Sequence, residues 1–429
     1  MYNLIIYLYL LGVAVYSRFN VKVRRMWRGE RKAFDVLRDK VDPKARYVWF
    51  HAASLGEFEQ GRPLMEQIRR EQPDLKILLT FFSPSGYEVR KNYEGADIIC
   101  YLPIDTPLNA RRFLKLIHPE KVFFIKYEFW YNYLHILKRR GIPVYSVSSI
   151  FREKQVFFRW YGRQYGRVLK CITHFFVQNE ESRDLLGRLG LTNVTVTGDT
   201  RFDRVLQIKE QAKVLPVVEA FLGGEGSQKG EDGKTAGEGT AKAHVFVAGS
   251  SWEPDEAIFI PYFNAHRDWK LIIAPHVIGE DHLRQIERLL EGRKVVCYTE
   301  AEKMSASDLR SYEVLIINCF GLLSSIYRYA DVTYVGGGFG VGIHNTLEAA
   351  VWGVPVIFGP NNRKFQEAQG LKTRGGGFEI ASATDFSQLM DRFGSSTADL
   401  REASVQAGAY VASQAGATPS ILSHVFSSK

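Results

Sequence analysis

From Tyr47 onward, short apolar runs alternate with longer stretches whose apolar residues recur at helical spacing. The runs predict strands at Tyr47–His51, Lys76–Phe81, Ile98–Tyr101, Lys121–Ile125, Pro143–Val147, His174–Val177 and Val194–Val196. Helices are expected between them, for example at Glu57–Glu71 and Asn109–Ile117. Residues 223–243 interrupt the pattern with GGEGSQKGEDGKTAGEGTAKA. Almost nothing there is apolar, so burial cannot offset the chain entropy, and a flexible surface loop is expected. A second series then begins, with strands predicted at His244–Ala248, Lys270–Ala274, Lys294–Tyr298, Val314–Asn318, Val332–Val335 and Pro355–Phe358. Alternation of this kind makes parallel sheets covered by helices on both faces. The expected fold is α/β, with two Rossmann-like, doubly wound domains facing across a cleft. Ligands in such folds sit at the carboxyl ends of the strands.

The length of 429 residues suits two such domains. The expected division is an N-terminal segment 1–32, a first domain 33–205, a linker 206–243 and a second domain 244–405. A C-terminal helix in 406–429 is expected to pack back on the first domain. Hydrophobic residues make up 45% and charged residues 24%, which places the chain among folded proteins rather than disordered ones.

Charge is concentrated. Residues 1–40 hold nine Lys/Arg against three Asp/Glu, and residues 151–170 hold six against one, so of the net +9 the rest of the chain carries a slight acidic excess. The first seventeen residues, MYNLIIYLYLLGVAVYS, contain no charged side chain, and the basic run from Arg18 to Lys32 follows them. No Lys or Arg precedes the apolar run and no Ala-x-Ala pattern follows it, which argues against a cleaved signal peptide. The expectation is a membrane-associated helix, spanning or interfacial, with its basic flank on anionic headgroups at the cytoplasmic side. The second basic stretch, FREKQVFFRWYGRQYGRVLK, interleaves Arg with aromatic residues, which suits membrane contact and phosphate recognition; its plainer reading is a solvated amphipathic helix. Nucleic acid is the poorer match, because no recognition fold accompanies the patch. Cys100, Cys171, Cys297 and Cys319 show no metal or redox spacing and are expected to be buried, reduced thiols.

Chemistry-bearing residues cluster at predicted strand ends. HAASLGE at 51–57 places Ser54, Gly56 and Glu57 at a strand-to-helix turn, where Glu57 either complements the helix dipole or acts as a general base. YEFWYN at 127–132 puts a second acid, Glu128, after another strand. VTGDTRFD at 196–203 offers Arg201 to a phosphate or carboxylate, or simply to solvent. GSSWEPDE at 249–256 is a Gly-Ser turn opening a helix, and the free amides around Ser250 would suit an anion. Ala274-Pro275-His276 ends the next strand. The richest cluster is YVGGGFGVGIHNTLEAA at 334–350, closed by GVPVIFGP at 353–360. Its glycines, Gly338 among them, let backbone approach a ligand, and the helix it opens would offer amides to phosphate. His344, Asn345 and Glu348 share one helical turn, with Glu348 placed for ribose hydroxyls. That combination points to nucleotide binding.

Together HAASLGE, PIDTP at 103–107, YEFWYN, VTGDTRFD and GGGFGVGIHNTLEAAVWGVPVIFGP resemble one family across nearly the whole chain. It is the 3-deoxy-D-manno-oct-2-ulosonic acid (Kdo) transferases of lipopolysaccharide biosynthesis. The resemblance implies a GT-B glycosyltransferase at the cytoplasmic face of the inner membrane. It would move Kdo from CMP-Kdo to a lipid A precursor in a metal-independent, inverting displacement without a cofactor. Glu57 would be the general base, with Glu128 and Arg201 supporting the transition state. CMP contacts would fall on Pro275, His276, Gly321, Leu322, Leu323, Asn345, Thr346, Leu347 and Glu348. Some positions depart from the family pattern. His276 stands where Arg is usual, Tyr131 interrupts the usual Trp-Pro-Asn, Lys126 replaces an acid, and Leu322-Leu323 replace Glu-Leu. Rival readings are a GT-B transferase using a uridine nucleotide sugar on a lipid, a soluble nucleotide-sugar epimerase of the same fold, and a non-catalytic glycolipid-binding protein.

Overall fold

A computed structural model describes residues 2–223 and 244–427. The expected Gly-rich loop, apart from Gly223, lies outside the described residues. The chain separates into two compact units, Met1–Arg204 with Gln414–Lys429, and Val205–Ser413.

The first unit is built on strands β1 (Arg46–Ala52), β2 (Leu75–Phe81), β3 (Ile98–Tyr101), β4 (Pro119–Ile125), β5 (Val144–Ser149), β6 (His174–Val177) and β7 (Val194–Val196). They pair in parallel in the order β3-β2-β1-β4-β5-β6-β7. The order reverses between β1 and β4, which is where a doubly wound sheet opens a crevice. Strand alternation feeds two cores. Tyr47 and Trp49 join Phe113, Phe124 and Tyr133 on one face, while Val48 and Phe50 join Phe58 and Phe123 on the other. Both faces are covered, so these strands read as continuous apolar runs and were legible as such.

The second unit carries β8 (His244–Ser251), β9 (Trp269–Pro275), β10 (Val295–Cys297), β11 (Val314–Ile316), β12 (Val332–Val335), β13 (Val356–Phe358) and β14 (Gly377–Glu379). Its order is β10-β11-β9-β8-β12-β13-β14, also parallel, with reversal between β8 and β12. Strand β14 has the sequence GFE, which contains no apolar run, so hydrophobic patterning misses it.

Two helices precede the first sheet: α1 (Tyr2–Tyr16) and α2 (Val21–Lys40). Asn20 caps α2 by accepting from the Val23 amide at 3.1 Å. Met26, Ala33, Phe34 and Leu37 of α2 are buried, which leaves its Arg/Lys-rich face outside. Leu4, Leu8 and Leu11 of α1 remain 60–64% exposed. Among the described residues no helix is long and apolar enough to cross a membrane. The basic stretch 151–170 is not a continuous helix; it breaks into short turns at Val156–Phe158, Trp160–Gly162, Arg163–Gly166 and Arg167–Cys171. Its Phe151 and Phe157 go into the core, which fixes the backbone away from helical periodicity. The four thiols are free, but only Cys100 and Cys171 are buried; Cys297 and Cys319 lie half-buried at short strand ends.

The chain returns to the first unit at its end. Ile421, Leu422 and Val425 of the helix Ala417–Phe426 enter the core that holds Phe50 and Phe58. The start of that helix lacks a side-chain cap of its own, and Asp203 supplies one from a distance. Its carboxylate accepts from the Gly416 and Thr418 amides, both at 2.6 Å. Asp203→Ala should therefore lower stability by about 1–2 kcal/mol and raise amide exchange at 416–426 ahead of the remainder of the unit. Uniform exchange after the substitution would show that Asp203 is not the clasp.

Candidate active site

In the first unit, β1 runs into a turn at Ala53 and Ser54, and Ser54 is the N-cap of α3 (Leu55–Glu71). Its hydroxyl makes no capping bond. Gly56 in the first turn faces open space on its side-chain side. Glu57, the third helical residue, reaches back instead, and its Oε2 accepts from the Ala53 amide at 2.5 Å. The side chain is buried, and burial first, then the charge of Glu128, push its pKa up to about 7. Glu128 follows β4 on the other side of the strand-order reversal, and burial raises it too.

The loop that carries Glu128 is pinned at several points. Lys126 adopts φ +60°, and its carbonyl accepts from Ser149 at 2.7 Å and Ser146 at 3.1 Å. Phe129 plugs into the core, and Trp130 Nε1 donates to His51 Nε2 at 3.1 Å. An indole N–H only donates, so His51 Nε2 is the acceptor and Nδ1 carries the proton toward Thr80 Oγ1 at 2.9 Å. Burial holds His51 down to about 3, so the ring is neutral. This bond joins the HAASLGE and YEFWYN segments across the strand-order reversal.

Arg201 does not point freely at a ligand. Its backbone N and guanidinium both bond Asp199, at 3.0 Å and 2.8–2.9 Å. Asp199 is buried and takes both oxygens' worth of the Gln60 amide at 3.0 and 3.1 Å. Gln60 and Glu57 share α3, so one helix sets the base candidate and the cation. Asp105 of PIDTP is also buried. It accepts from the Asn132 and Tyr133 amides at 2.9 and 3.1 Å and from the Tyr2 hydroxyl at 2.7 Å. Burial outweighs those bonds and raises Asp105 to about 6. Tyr2 also lies against Tyr131 and Tyr165, and Asn132 donates to Asn3 at 2.8 Å. The first turn of α1 is thereby built into the segment that follows Glu128.

In the second unit the candidate residues gather at the ends of β8, β9 and β12. Ser250 takes φ +53° at the end of β8. Gly249 lies where any side chain would collide with the hydroxyl of Tyr327. Pro275 pairs with Ser251 at the end of β9, and the His276 amide donates to the Ser251 carbonyl at 2.9 Å. The His276 ring stacks on Trp252 at 4.6 Å and on His344 at 4.4 Å, while Trp252 Nε1 donates to His344 Nε2 at 3.2 Å. Burial lowers both imidazoles below the usual histidine value. Asn345 donates to Glu348 at 3.0 Å and accepts from the Leu347 amide at 3.2 Å. Thr346 and Leu347 are buried. Gly321 is exposed at φ +87°, Leu322 and Leu323 are half-buried, and Leu323 lies against Gly249.

Two expectations are corrected here. The helix that the Gly-rich segment opens is only a single turn, Leu347–Ala350, too short to present a row of free amides. Residues 336–346 instead fold on themselves, with Gly340 and Gly342 amides on the Gly337 carbonyl and the His344 amide on Gly336. Amides expected to be free are also in use. Asp255 accepts from Trp252 at 3.0 Å, from Gly337 at 2.8 Å and from the Tyr334 hydroxyl at 2.7 Å. Gly338 packs against Gly359, where a side chain would overlap backbone, so it serves close packing of the turn.

Residues 25–204 match the family model described as 3-deoxy-D-manno-octulosonic-acid transferase (kdotransferase). Those residues belong to the Kdo transferase family. The likeness reaches further along the chain. The Kdo transferase of Aquifex aeolicus is 26% identical over 79% of this chain and 83% of its own length. That of Bordetella pertussis is 28% identical over 76% of this chain and 74% of its own. Among solved structures, UDP-GlcNAc 2-epimerase from Neisseria meningitidis bound to UDP-GlcNAc covers 89% of this chain at TM-score 0.60 and 13% identity. Acinetobacter baumannii MurG covers 89% at TM-score 0.55 and 13% identity. These structures share the fold, which is GT-B-like, α/β and built on two parallel sheets.

Sequence reasoning missed the supports of the Kdo transferase motifs: His51, Gln60, Asp105, Asp199, Trp252, Asp255 and Tyr327. Most are polar residues inside the recognised strings, but their partners lie far away in sequence, and one chain carries no pairing signal. The His51–Trp130 link is testable. Trp130→Phe keeps the ring and deletes the donor, so stability should fall by about 1–2 kcal/mol, read as a shift in the urea midpoint. The loss should stay flat from about pH 5 to 8, because His51 remains neutral throughout. A loss that shrinks toward the acid end would mean that His51 takes up a proton there, leaving the indole no free Nε2 to donate to, and would overturn the assignment of a neutral ring.

Proposed function

We propose that the chain transfers Kdo from CMP-Kdo to the hydroxyl of a lipid A precursor, without metal, by a single inverting displacement. In this reading it works at the cytoplasmic face of the inner membrane, with α1 and the basic face of α2 on the bilayer surface. Family membership supports the reading, and the observation that carries it is Glu57. A carboxylate oriented by a backbone amide, with a pKa of about 7, is matched to taking a proton from a sugar hydroxyl near neutral pH. An ordinary surface glutamate near 4 would be a far weaker base.

The first unit's geometry supports the following roles in this reading. Glu57 accepts the hydroxyl proton as the oxygen attacks the ketose carbon. Glu128 keeps Glu57 basic by its nearby charge, and it faces the cationic character that develops at the sugar. Arg201, fixed by Asp199, presents its guanidinium to the Kdo carboxylate or the departing phosphate. In the second unit, Asn345 and Glu348 form a hydrogen-bonded pair suited to ribose hydroxyls. The ring stack of Trp252, His276 and His344 offers a flat wall and N–H donors to the nucleotide. Ser250, Pro275 and Gly321–Leu323 complete the donor contacts, and Ser54 and Gly56 lie beside the base on the acceptor side.

The decisive assay is transfer from freshly generated CMP-Kdo to a tetra-acylated lipid A precursor in detergent with chelator, followed by mass spectrometry. Wild type should add one or more Kdo units, and Glu57→Gln should be slower by about 10²–10⁴-fold. Folded wild type without transfer would sink the Kdo reading and turn attention to uridine nucleotide sugars. The pH profile supplies a second check. Below pH 7, kcat/KM should fall about tenfold per unit as Glu57 is protonated, and it should level off above. Glu128→Gln removes a charge that raises Glu57, so the acid limb should move to lower pH. A limb that stays put would separate the two carboxylates.

A further inference from the structure

Between the α1–α2 pair and the helix Pro107–Ile117 lies a cavity of about 440 Å³. Its wall includes Leu10, Trp27, Glu30, Arg31, Arg38 and Arg112. Trp27, Arg31 and Arg38 are spaced by four and seven residues along α2, so they share one helix face. The Arg31 guanidinium lies over the Trp27 ring at 5.3 Å, and that of Arg112 lies over Phe34 at 4.7 Å. An aromatic face engages a guanidinium from one side and leaves its in-plane N–H donors for another acceptor. Arg38 has Asp35 at 3.4 Å, but both side chains are more than half exposed and such a pair contributes little. Glu30 is buried in the wall, and its Oε1 makes no hydrogen bond among the described residues. Burial raises Glu30 to about 8, so at neutral pH it is a neutral carboxyl with an O–H to donate. The helix that supplies Leu10 also turns Leu4, Leu8 and Leu11 outward, with no charged side chain along it. Its first turn is held in place through Tyr2 on Asp105 and Asn3 on Asn132.

Guanidiniums, a buried carboxyl O–H and an apolar surface on one wall describe a ligand with an anionic head and a hydrocarbon tail. We propose that this cavity binds the phosphate headgroup of an anionic phospholipid, with Arg31, Arg38 and Arg112 on the phosphate and the outward leucines of α1 among the acyl chains. A phosphate monoester, as in phosphatidic acid, suits the site best, since it brings the most negative charge and no cation of its own. A choline-capped phosphate would place a trimethylammonium among three guanidiniums. The cavity uses none of the residues assigned to sugar transfer, so it constitutes a separate site.

The test uses the full-length protein. Partition onto phosphatidylcholine vesicles with and without phosphatidic acid is compared for wild type, Arg31→Gln/Arg112→Gln and Arg25→Gln/Arg28→Gln. The last pair removes equal charge from α2 outside this cavity. Diffuse attraction is worth about fivefold per basic residue near a charged surface and would weaken both variants alike. A headgroup site instead predicts a loss at least about tenfold greater for Arg31→Gln/Arg112→Gln; equal losses overturn it. A second arm titrates dihexanoyl phosphatidic acid, a soluble short-chain lipid, and follows tryptophan emission. The expected change is absent in Trp27→Phe and is not produced by inorganic phosphate at the same concentration. An equal response to inorganic phosphate would overturn the lipid assignment, and so would no response to the lipid. In detergent without phospholipid, Arg31→Gln/Arg112→Gln should keep the acceptor KM of wild type. A tenfold rise would assign the cavity to the acceptor and overturn the proposal, whereas absence of transfer in wild type would bear on the transferase reading alone.

Discussion

Taking a carboxylate out of water costs free energy that a cation, a set of N–H donors or a proton must offset, and the first unit uses all three at its strand ends. Asp199 receives a cation and an amide side chain, and its pKa falls despite full burial. Asp105 receives two backbone amides and a phenol but no cation, and it settles near 6. Glu57 receives a backbone amide and has Glu128 for a neighbour, and it rises to about 7. Three acids of one chemical type thus hold different protonation behaviour within a few strand ends. Asp199 stays charged and fixes Arg201. Asp105 caps a helix and ties down α1. Glu57 is left poised to exchange a proton. The sheet topology makes this possible, because the reversal between β1 and β4 brings two acid-bearing loops together without pairing them.

Both units also use a tryptophan indole to fix a histidine. Trp130 donates to His51 and Trp252 donates to His344. The indole cannot accept, so it selects one tautomer and favours the neutral ring. Each bond spans separate strand-end loops, at β1 and β4 in one unit and at β8 and β12 in the other. For His51, held down to about 3, such a link is insensitive to pH across the neutral range, unlike a histidine–carboxylate pair. The Glu57–Glu128 pair is free to titrate while the frame around it does not.

Much of this fold was legible because its strands are buried on both faces and therefore appear as uninterrupted apolar runs, as in YVWF and KVFFI. Strand β14 was not, since GFE buries its backbone pairing rather than apolar side chains. The segment 151–170, whose plainer reading is a solvated amphipathic helix, instead breaks into short turns from which Phe151 and Phe157 enter the core, and nothing in its local pattern shows that. At the site, Glu57 and Glu128 were readable from motif position at strand ends. Their consequences were not, because the pKa of Glu57 depends on burial and on a residue 71 positions away. The Gly-rich turn was recognised, but Asp255, which consumes its Gly337 amide, belongs to a different motif. Spacing within one segment reports local geometry, whereas a buried acid chooses donors through space.

His276 shows what such a frame does with a departure from the family pattern. The resemblance leads to an Arg at this position, with permanent charge and a fork of donors. Here the imidazole packs against Trp252 and His344, and its backbone amide is already given to Ser251. Protonating it would set a cation against a neighbouring imidazole whose own pKa it depresses. On the proposed reading, the leaving phosphate then meets neutral N–H donors instead of a full charge, and each such bond is weaker than a charge-assisted one. The stack compensates in another way. A ring packed against two others has less rotamer freedom left to lose on binding, so on that reading its donor is already aimed when charge develops on the phosphate. A guanidinium on a flexible stem would bring more charge and more disorder to the same place, and the chain has exchanged the first for relief from the second.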